Sequence, residues 1–526
     1  MQRLNRRTFV AAGAAASFYI GGSRLSGAAP KPGATVETAL GKVRGLSVNG
    51  VNAFRGMRYG ASTDGVRRFM PPVKPASWTG VTEAFEYGDE APQAHPHTEI
   101  PEVRATIPEH PVSEDCLRIN VWSRQLGAGR RLPVMVWLHG GGFTSGNGGY
   151  TIYDGANLAR KRDVVMVTIN HRLNTFGFTY LGGLGGDAAG GSNVGMLDVV
   201  AALQWVRDNI GQFGGDPNNV TIFGQSGGGA KVSTLLAMPS AKGLFHRAIF
   251  QSGSNVTGVT QADAVKSTEI FLAKLGAKSL ADLQKLPMQQ LIEATRTTQG
   301  LRTSPVVDGS TLPGNPFSPG APGISANVPV LCGTTETEVT FFPNQAIDPI
   351  DDAQLLARVK AAVNVKDPQA KELIDLYKKG RPGVSNIDVA LIVESDTRFR
   401  AGVVTQAELK SAQAAAVYMY YFTWRSPVRE GKLKAFHTLE IPFVTENVDE
   451  GQSMTGAGKD RYALQDKMSA AWTAFARTGN PNHKGLPAWP KFELKDRATM
   501  ILANECHAVN DPNGAERKAL TALRAV

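Results

Sequence analysis

The chain has 526 residues, of which 42% are apolar and 19% are charged, and it carries a formal net charge of +10. This composition is that of a globular protein, and the lack of low-complexity tracts and of a fixed repeat excludes a disordered chain and a solenoid. No extended run of lysine and arginine follows the N-terminal segment, and no basic stripe alternates with aromatic residues, so the sequence predicts no nucleic-acid partner.

The first 28 residues have the features of an export signal. Arg6 and Arg7 precede a weakly apolar, alanine-rich stretch, and small residues follow up to a predicted cleavage site near Ala28. This pattern is typical of a twin-arginine signal, so we expect a periplasmic or extracellular protein. The stretch is too short and too rich in glycine to span a membrane. The remainder, residues 35–526, is expected to form a single domain.

The cysteines and histidines predict neither a disulfide framework nor a metal site. Three cysteines, Cys116, Cys332 and Cys506, are too few for such a framework, and their odd number leaves at least one thiol free. None has the spacing of metal ligands, and His95 and His97 lack a third ligand nearby in the sequence. No cofactor is expected.

Short apolar runs, rich in β-branched and aromatic residues, recur along the chain and are typical of buried strands. They are PVMVWLH from Pro133, DVVMVTIN from Asp163, VTIF from Val220, RAIFQSG from Arg247, VPVLCG from Val328 and AVYMYYFTW from Ala416. Helical patterns lie between them, and this alternation predicts an α/β fold with a mostly parallel sheet covered by helices on both faces.

Helical periodicity is clearest between the second and third of these strands, over residues 195–213. The residues spaced for one face of that helix are Leu197, Val200, Ala201, Leu203, Gln204 and Ile210. Residues 261–301 and 351–409 are rich in helical pattern without comparable strands, so we expect two helical insertions that form a cap.

Three consecutive glycines, Gly140 to Gly142, follow the first predicted strand in the sequence WLHGGGF. Because glycine has no side chain, the backbone N–H groups of such a run can approach a substrate oxygen closely. Phe143, the next residue, is a candidate for the wall of a substrate pocket.

Ser226 stands in the sequence VTIFGQSGGGAK, where a predicted strand ends and a helix can begin. Gly224, Ser226 and Gly228 satisfy the pattern G-x-S-x-G, in which a sharp turn exposes a nucleophilic serine above a sheet. The N–H of Gly227 and those of the earlier glycine run are expected to form an oxyanion hole. A glycine-rich turn with a serine helix cap gives the same letters, so the pattern alone is moderately specific.

A serine hydroxyl needs a base, because it is almost wholly protonated at neutral pH. In the order serine, acid, histidine, the candidates after Ser226 are His246, His437, His483 and His507. His246 lies too close along the chain, and His483 and His507 lie in loop-like terminal segments. His437 is therefore the predicted general base.

An acid must orient the imidazole, and the segment GTTETEVTFF after the fifth predicted strand offers two. Glu336 and Glu338 lie two residues apart, hence on opposite sides if the chain is extended. Spacing alone does not choose between them.

The chain resembles a type-B carboxylesterase of the cholinesterase-like branch of α/β-hydrolases. Ordered blocks that carry the resemblance run from about Thr35 to Asp511 and include RFMPP, SEDCLRINVW, HGGGF, TINHRLNTFGF, FGQSGGG, LFHRAIFQSGS, HTLEIPF and WTAFARTGNPN. The resemblance implies that Glu338 is the triad acid and that His437 is the triad histidine. It also implies an oxyanion hole built from Gly141, Gly142 and Gly227, and a two-step acyl transfer from a carboxylic ester.

Three departures from the family pattern qualify the substrate. Gln225 stands where the family usually has glutamate, so one negative charge is absent from the pocket floor. Ala91 stands where many relatives have the cysteine that pairs with the equivalent of Cys116, which leaves Cys116 unpaired. No tryptophan of the kind that holds choline lies between Gln93 and Cys116. We therefore expect a hydrolase of neutral esters and not a cholinesterase.

Two alternatives remain open at this point. An amide or carbamate hydrolase would use the same triad, because the triad does not distinguish the leaving group. A catalytically silent binding protein of the same superfamily would characteristically lack the nucleophile, which is present here. The sequence leaves the oligomeric state and the identity of the ester undetermined.

Overall fold

A computed structural model describes residues 31–94, 100–184 and 191–524. The predicted export signal and the pair His95 and His97 lie outside these ranges. Within them, thirteen strands form one sheet. The strands are β1 (Lys31–Glu37), β2 (Lys42–Val48), β3 (Val51–Arg58), β4 (Val81–Glu83), β5 (Arg118–Ser123), β6 (Leu132–Leu138), β7 (Val165–Ile169), β8 (Gly215–Gln225), β9 (Arg247–Gln251), β10 (Val330–Thr335), β11 (Val417–Phe422), β12 (Ala498–Leu502) and β13 (His507–Asn510).

The strands lie in the order β1-β2-β3-β5-β7-β6-β8-β9-β10-β11-β12-β13, and β4 pairs with β2. The seven strands from β7 to β12 in this order are mutually parallel, and the flanking main-path strands pair antiparallel. All six strands predicted from apolar runs are found in this parallel centre. The α/β fold with a mostly parallel sheet is confirmed.

Alternate residues of the central strands pack into two separate cores, one on each face of the sheet. In β6, Val134, Val136 and Leu138 face one core, and Met135 and Trp137 face the other. All seven side chains of β6 are buried, which explains why the strand is apolar throughout instead of alternating. Burial of each such side chain contributes roughly 1.5–3 kcal/mol to stability.

Helices cover both faces. They are α1 (Pro101–Arg104), α2 (Ala156–Arg162), α3 (Asn174–Phe178), α4 (Val194–Asn209), α5 (Gly227–Leu235), α6 (Gln261–Leu275), α7 (Leu280–Lys285), α8 (Met288–Thr297), α9 (Asp352–Val363), α10 (Asp367–Lys379), α11 (Asn386–Ser395), α12 (Ala401–Ser411), α13 (Ile441–Val444), α14 (Gln452–Thr455), α15 (Asp460–Thr478) and α16 (Gly514–Arg524). None of the helices in the described ranges combines the length and apolar character that a membrane crossing requires.

The predicted helix over residues 195–213 is confirmed, but its buried face is wider than predicted. It forms α4 and a following 3₁₀ turn, Ile210–Phe213, and ends at Gly214, whose φ of 80° suits glycine. Leu197, Ala201 and Gln204 are only half-buried. The most deeply buried positions include Met196, Val199 and Val206 as well as the predicted Leu203 and Ile210, because this helix is enclosed on most sides.

Both predicted insertions are helical. The first contains α6 to α8, and the second contains α9 to α12. Local capping explains their starts: the Thr260 side chain accepts a hydrogen bond from the N–H of Asp263, and Asp351 and Gln354 form a reciprocal capping box. In the second insertion α11 and α12 are continuous through a π-helical turn, Asp396–Arg400.

Candidate active site

Ser226 occupies the turn between β8 and α5, at the carboxyl edge of the parallel sheet. Its φ of 59° and ψ of −125° are strained for a residue with a side chain. A Cβ atom at Gly224 would lie 2.6 Å from the Leu138 carbonyl oxygen, and one at Gly228 would also collide with Leu138. Both flanking positions of the predicted pattern therefore require glycine. The serine is at the N-terminus of α5, where the helix dipole stabilises negative charge.

The glycine run after β6 forms a loop beside this serine. Gly141 and Gly142 have φ values of 85° and 63°, which favour glycine. The Gly141 carbonyl accepts hydrogen bonds from the N–H groups of Thr144 and Ser145, at 3.2 and 3.1 Å. In the part of the chain that the structure describes, no acceptor is paired with the N–H of Gly141 or Gly142. These two groups are free to bind a substrate oxygen.

Gly227 brings the third expected donor against this loop. A Cβ atom at Gly227 would lie 2.5 Å from the Gly142 carbonyl carbon and would also overlap the Gly142 oxygen. The two glycines therefore touch, and the N-terminus of α5 faces the loop. A Cβ atom at Gly140 would lie 3.5 Å from Cβ of Ser226, so the serine is adjacent to the same loop.

His437 and Glu338 form a buried pair. The imidazole Nδ1 of His437 donates to Oε2 of Glu338 at 2.6 Å, and the two side chains are 3% and 0% exposed. The other carboxylate oxygen, Oε1, accepts from the N–H of Thr335 at 2.8 Å. This geometry fixes the tautomer of the ring, since the hydrogen on Nδ1 leaves Nε2 as the basic nitrogen. Glu336 instead accepts from Arg425 at 3.0 Å.

Gln225 connects the histidine to the serine turn. Its side-chain nitrogen lies 3.3 Å from each ring nitrogen of His437, and the residue directly precedes Ser226. The side chain is 1% exposed. A neutral amide therefore lies against the imidazole where a carboxylate would add a negative charge.

Three phenylalanine rings surround the imidazole. The ring centroids of Phe399, Phe341 and Phe342 lie 4.8, 5.4 and 6.0 Å from that of His437. Phe399 comes from the π-helical turn of the second insertion, so that insertion does reach the site. The guanidinium carbon of Arg398 lies 3.9 Å from the Phe342 ring centroid and 5.3 Å from that of Phe399. Within the described ranges Arg398 has no carboxylate partner.

A second carboxyl group lies near Glu338. Glu440 is fully buried, and its Oε1 accepts a hydrogen bond from Gln251 at 3.2 Å. Burial, with a smaller effect from the charge of Glu338, raises the pKa of Glu440 to about 8. Gln251 also accepts from Trp472 through its side chain and from the N–H of Ser226 through its backbone, at 2.9 and 2.8 Å. Glu440 is therefore mostly neutral at pH 7 and adds little charge to the site.

The other candidate residues lie apart from this chemistry. The His246 ring accepts from the N–H of Val220, and that of His483 contacts the Lys467 carbonyl, whereas His507 is exposed. Phe143 packs edge-to-face on Phe178 at 5.1 Å, so its role as a pocket wall stays a prediction.

The predictions about cysteines and metal ligands concern residues outside this site. Cys116, Cys332 and Cys506 are all free and buried. No cluster of three metal-ligating side chains occurs in the ranges given above.

Sequence reasoning did not assign several residues of the site: Phe399, Phe341, Phe342, Arg398, Glu440 and the buried Lys231 of α5, whose Nζ donates to the carbonyl oxygens of His139 and Gly142. Phe341, Phe342 and Glu440 lie in the segments GTTETEVTFF and HTLEIPF described above, and Lys231 also left a signal. Lys231 is the only charged residue between Ser226 and Ala241, in a helix whose other residues are uncharged. Phe399 left none, because only the fold brings the second insertion to His437.

Acyl transfer requires a nucleophile, a base with an orienting acid, and donors for a developing oxyanion, and a serine, a histidine–glutamate pair and unpaired N–H groups suited to these tasks lie here at one edge of the sheet. The molecule is accordingly a serine hydrolase of the α/β-hydrolase fold. Comparison with known proteins narrows the class: the Carboxylesterase family model matches residues 32–520. The chain belongs to this family and is an ester hydrolase.

Known relatives agree with this assignment. Para-nitrobenzyl esterase of Bacillus subtilis is 36% identical over 504 residues, which cover 92% of this chain and 98% of the relative. A solved structure of a PNB esterase superposes with a TM-score of 0.80, covering 92% of this chain and 99% of that one. An esterase from Clostridium hathewayi that hydrolyses aliphatic aromatic polyesters is 33% identical, with a TM-score of 0.82 and coverage of 94% and 100%. These findings favour ester hydrolysis over the amidase and binding-protein alternatives.

Proposed function

We propose that Ser226, His437 and Glu338 are the catalytic triad and that Gly141, Gly142 and Gly227 form the oxyanion hole. The observation that carries the proposal is the 2.6 Å hydrogen bond between the buried His437 and Glu338, beside a strained serine turn. Either side chain alone would be an ordinary polar residue. Buried together next to a serine, they supply the base that this nucleophile lacks.

The reaction follows from these positions. The Ser226 oxygen attacks the ester carbonyl while its proton passes to Nε2 of His437, and the carbonyl oxygen becomes an oxyanion that accepts from the free N–H groups. His437 then gives the proton to the departing alkoxide, and an acyl-enzyme remains. Water attacks the acyl-enzyme, again with proton transfer through His437, and the carboxylic acid leaves as Ser226 regains its proton. Glu338 stabilises the transient imidazolium throughout.

A direct test uses p-nitrophenyl acetate, butyrate and octanoate together with a fluorophosphonate label. We expect turnover and labelling by the wild type, and loss of both in Ser226→Ala. Labelling without turnover would refute the substrate class but not the machinery. Absence of both in well-folded wild type would refute the proposal.

We further propose that the preferred substrates are neutral esters with an aromatic or bulky apolar group. Three phenylalanine rings line the region around His437, and the nearby polar groups carry no free negative charge: Gln225 is an amide and Glu440 is mostly protonated. Arg398 adds an unpaired positive charge to the same cluster. The names of two relatives described above, the para-nitrobenzyl esterase and the esterase that hydrolyses aliphatic aromatic polyesters, also refer to esters with aromatic groups.

Butyrylcholine and its uncharged carbon isostere, 3,3-dimethylbutyl butyrate, test the charge preference because they have nearly the same shape. We expect the neutral ester to have a kcat/KM at least tenfold higher, and Gln225→Glu to reduce that ratio. Equal rates on the two esters would refute the charge preference. Benzyl butyrate against ethyl butyrate tests the aromatic preference, and Phe399→Ala is expected to reduce the ratio of their kcat/KM values.

We also propose that the first 28 residues direct export by the twin-arginine route. The paired Arg6 and Arg7 support this, as does the start of the family match at residue 32, after the segment. A green fluorescent protein fused to residues 1–35 is expected outside the cytoplasm, and replacement of both arginines by lysine is expected to retain it inside. Fluorescence that stays in the cytoplasm with the intact segment would refute this route.

A further inference from the structure

Lys231 is a fully buried lysine in the helix that begins directly after Ser226. It lies in α5, five residues after Ser226, and is 0% exposed. Burial lowers the pKa of its ammonium to about 7, and in the described part of the chain no carboxylate pairs with it. Burial of an ammonium without a carboxylate partner is costly, and hydrogen bonds to the buried group offset only part of that cost.

Both hydrogen bonds of Lys231 go to the glycine loop. Nζ donates to the carbonyl oxygens of His139 and Gly142 at 3.0 and 2.8 Å. It also lies 5.5 Å from the ring centroid of Phe143. One side chain of α5 thus holds the loop at two points, one at each end of the glycine run.

The carbonyl directions determine where the N–H groups point. In a planar trans peptide the C=O and N–H directions are opposite. The Gly140 carbonyl, which shares a peptide with the Gly141 N–H, is held by the His139 ring at 2.8 Å. The Gly141 carbonyl, which shares a peptide with the Gly142 N–H, is held by the turn described above. Lys231 holds the two flanking peptides, so all four carbonyls from His139 to Gly142 are fixed.

We propose that Lys231 is a positioning residue for ester hydrolysis, which holds the glycine loop so that the N–H groups of Gly141 and Gly142 meet the oxyanion. The proposal rests on the function proposed above for that loop. The close contact between Gly142 and Gly227 supports this role. Lys231 holds the Gly142 carbonyl against α5, and the lack of a side chain at Gly227 leaves space for that carbonyl. Lys231 acts through the loop and does not touch the reacting atoms.

Lys231→Met tests this proposal against a matched control, Lys410→Met. Lys410 is also 0% exposed, has its pKa lowered by burial to about 8, and donates to the Ser325 carbonyl and to Gln413 instead of to the loop. Both variants replace a buried lysine by a residue of similar length. The urea concentration at the midpoint of unfolding shows whether each variant is folded under the assay conditions.

The readouts are kcat and KM for p-nitrophenyl butyrate and the inhibition constants of two ketones. An alkyl trifluoromethyl ketone forms a tetrahedral adduct with the serine and needs the oxyanion donors, whereas the corresponding methyl ketone measures ground-state binding. We expect Lys231→Met to lower kcat by about a hundredfold, as a displacement of about 1 Å at a catalytic group does. Trifluoromethyl ketone affinity should fall in parallel, with little change in methyl ketone affinity and none of these effects in Lys410→Met.

Three outcomes would overturn the proposal. One is a folded Lys231→Met with kcat and trifluoromethyl ketone affinity within twofold of wild type. Another is an equal loss in Lys410→Met, which would indicate a general effect of stability. The third is a rise in KM with kcat unchanged. If Lys231→Met does not fold, Lys231→Gln, which retains a donor with shorter reach, is expected to lower kcat in the same way. Wild type that neither hydrolyses the ester nor binds the trifluoromethyl ketone would overturn the proposed function itself.

Discussion

Replacement of Gly227 by alanine perturbs the proposed oxyanion hole with a single methyl group. The backbone of Gly227 is helical and accepts alanine, so the only cost is steric. The added Cβ would lie 2.5 Å from the Gly142 carbonyl carbon, whereas ordinary contact begins near 3.4 Å. The loop must therefore retreat by about 1 Å from α5, against the hydrogen bond between Lys231 and the Gly142 carbonyl.

A retreat of this size separates the donors of the hole. Loss of one oxyanion donor costs roughly 3 kcal/mol of transition-state stabilisation, or about 10²- to 10³-fold in kcat. We expect Gly227→Ala to lower kcat on p-nitrophenyl butyrate by at least tenfold while the KM changes little. Gly211→Ala is the control, because its added methyl group meets no atom within 4 Å. A Gly227→Ala enzyme with wild-type kcat would refute the view that these glycines form one closely fitted hole.

Three further predictions concern buried acids. Burial raises the pKa of Glu440 in the folded protein to about 8 from an ordinary 4.5. The wild type therefore loses the contribution of the protonated Glu440 to stability as the pH rises from 4.5 to 8, whereas Glu440→Gln does not titrate. In urea unfolding, the stability of Glu440→Gln relative to wild type should increase from pH 5 to pH 9, and a difference that does not change with pH would contradict this. Glu338→Gln should lower kcat by three to four orders of magnitude at pH 7 with the fold intact by circular dichroism, because an amide does not stabilise the imidazolium; a tenfold loss or less would exclude Glu338 as the triad acid. Asp198→Ala should reduce the free energy of unfolding by about 3–5 kcal/mol, because it leaves the buried Arg172 unpaired. Asp208→Ala, which removes an exposed ion pair, should change the free energy of unfolding by less than about 1 kcal/mol. Similar losses in the two variants would contradict the expected difference between the buried and the exposed pair.

The parallel centre of the sheet was predictable from sequence, and its N-terminal edge was not. Strands such as β6 are buried on both faces and are therefore continuous apolar runs. The strands β1 to β4 contain charged and exposed residues, as in KPGATVE and VTE. Asn120 interrupts the apolar residues of β5. Their pairing depends on neighbours distant in sequence, which local pattern does not specify.

The serine and the histidine could be predicted because each follows a strand end or stands in a recognisable block. Spacing did not choose between Glu336 and Glu338, because the chain leaves the extended conformation there and enters a 3₁₀ turn at Glu338–Phe341. Phe399 could not be assigned from local pattern, and the isolated charge of Lys231 did not by itself reveal a role. Their contacts with His437 and with the glycine loop exist only after the second insertion and α5 have packed.

The π-helical turn that carries Phe399 has a consequence for how this site can change. A π turn holds one residue more than the corresponding stretch of α-helix, and here it interrupts an otherwise continuous helix from α11 to α12. Deletion of one residue within Asp396–Arg400 would restore regular α geometry and leave the two halves of the helix in their present orientation, because the π turn already accommodates the extra residue. The remaining side chains of the turn, including those of Phe399 and Arg398, would take new directions relative to His437, while the flanking helices α11 and α12 keep theirs. A deletion of one codon could therefore change the arrangement of the aromatic residues around His437 without any amino-acid substitution.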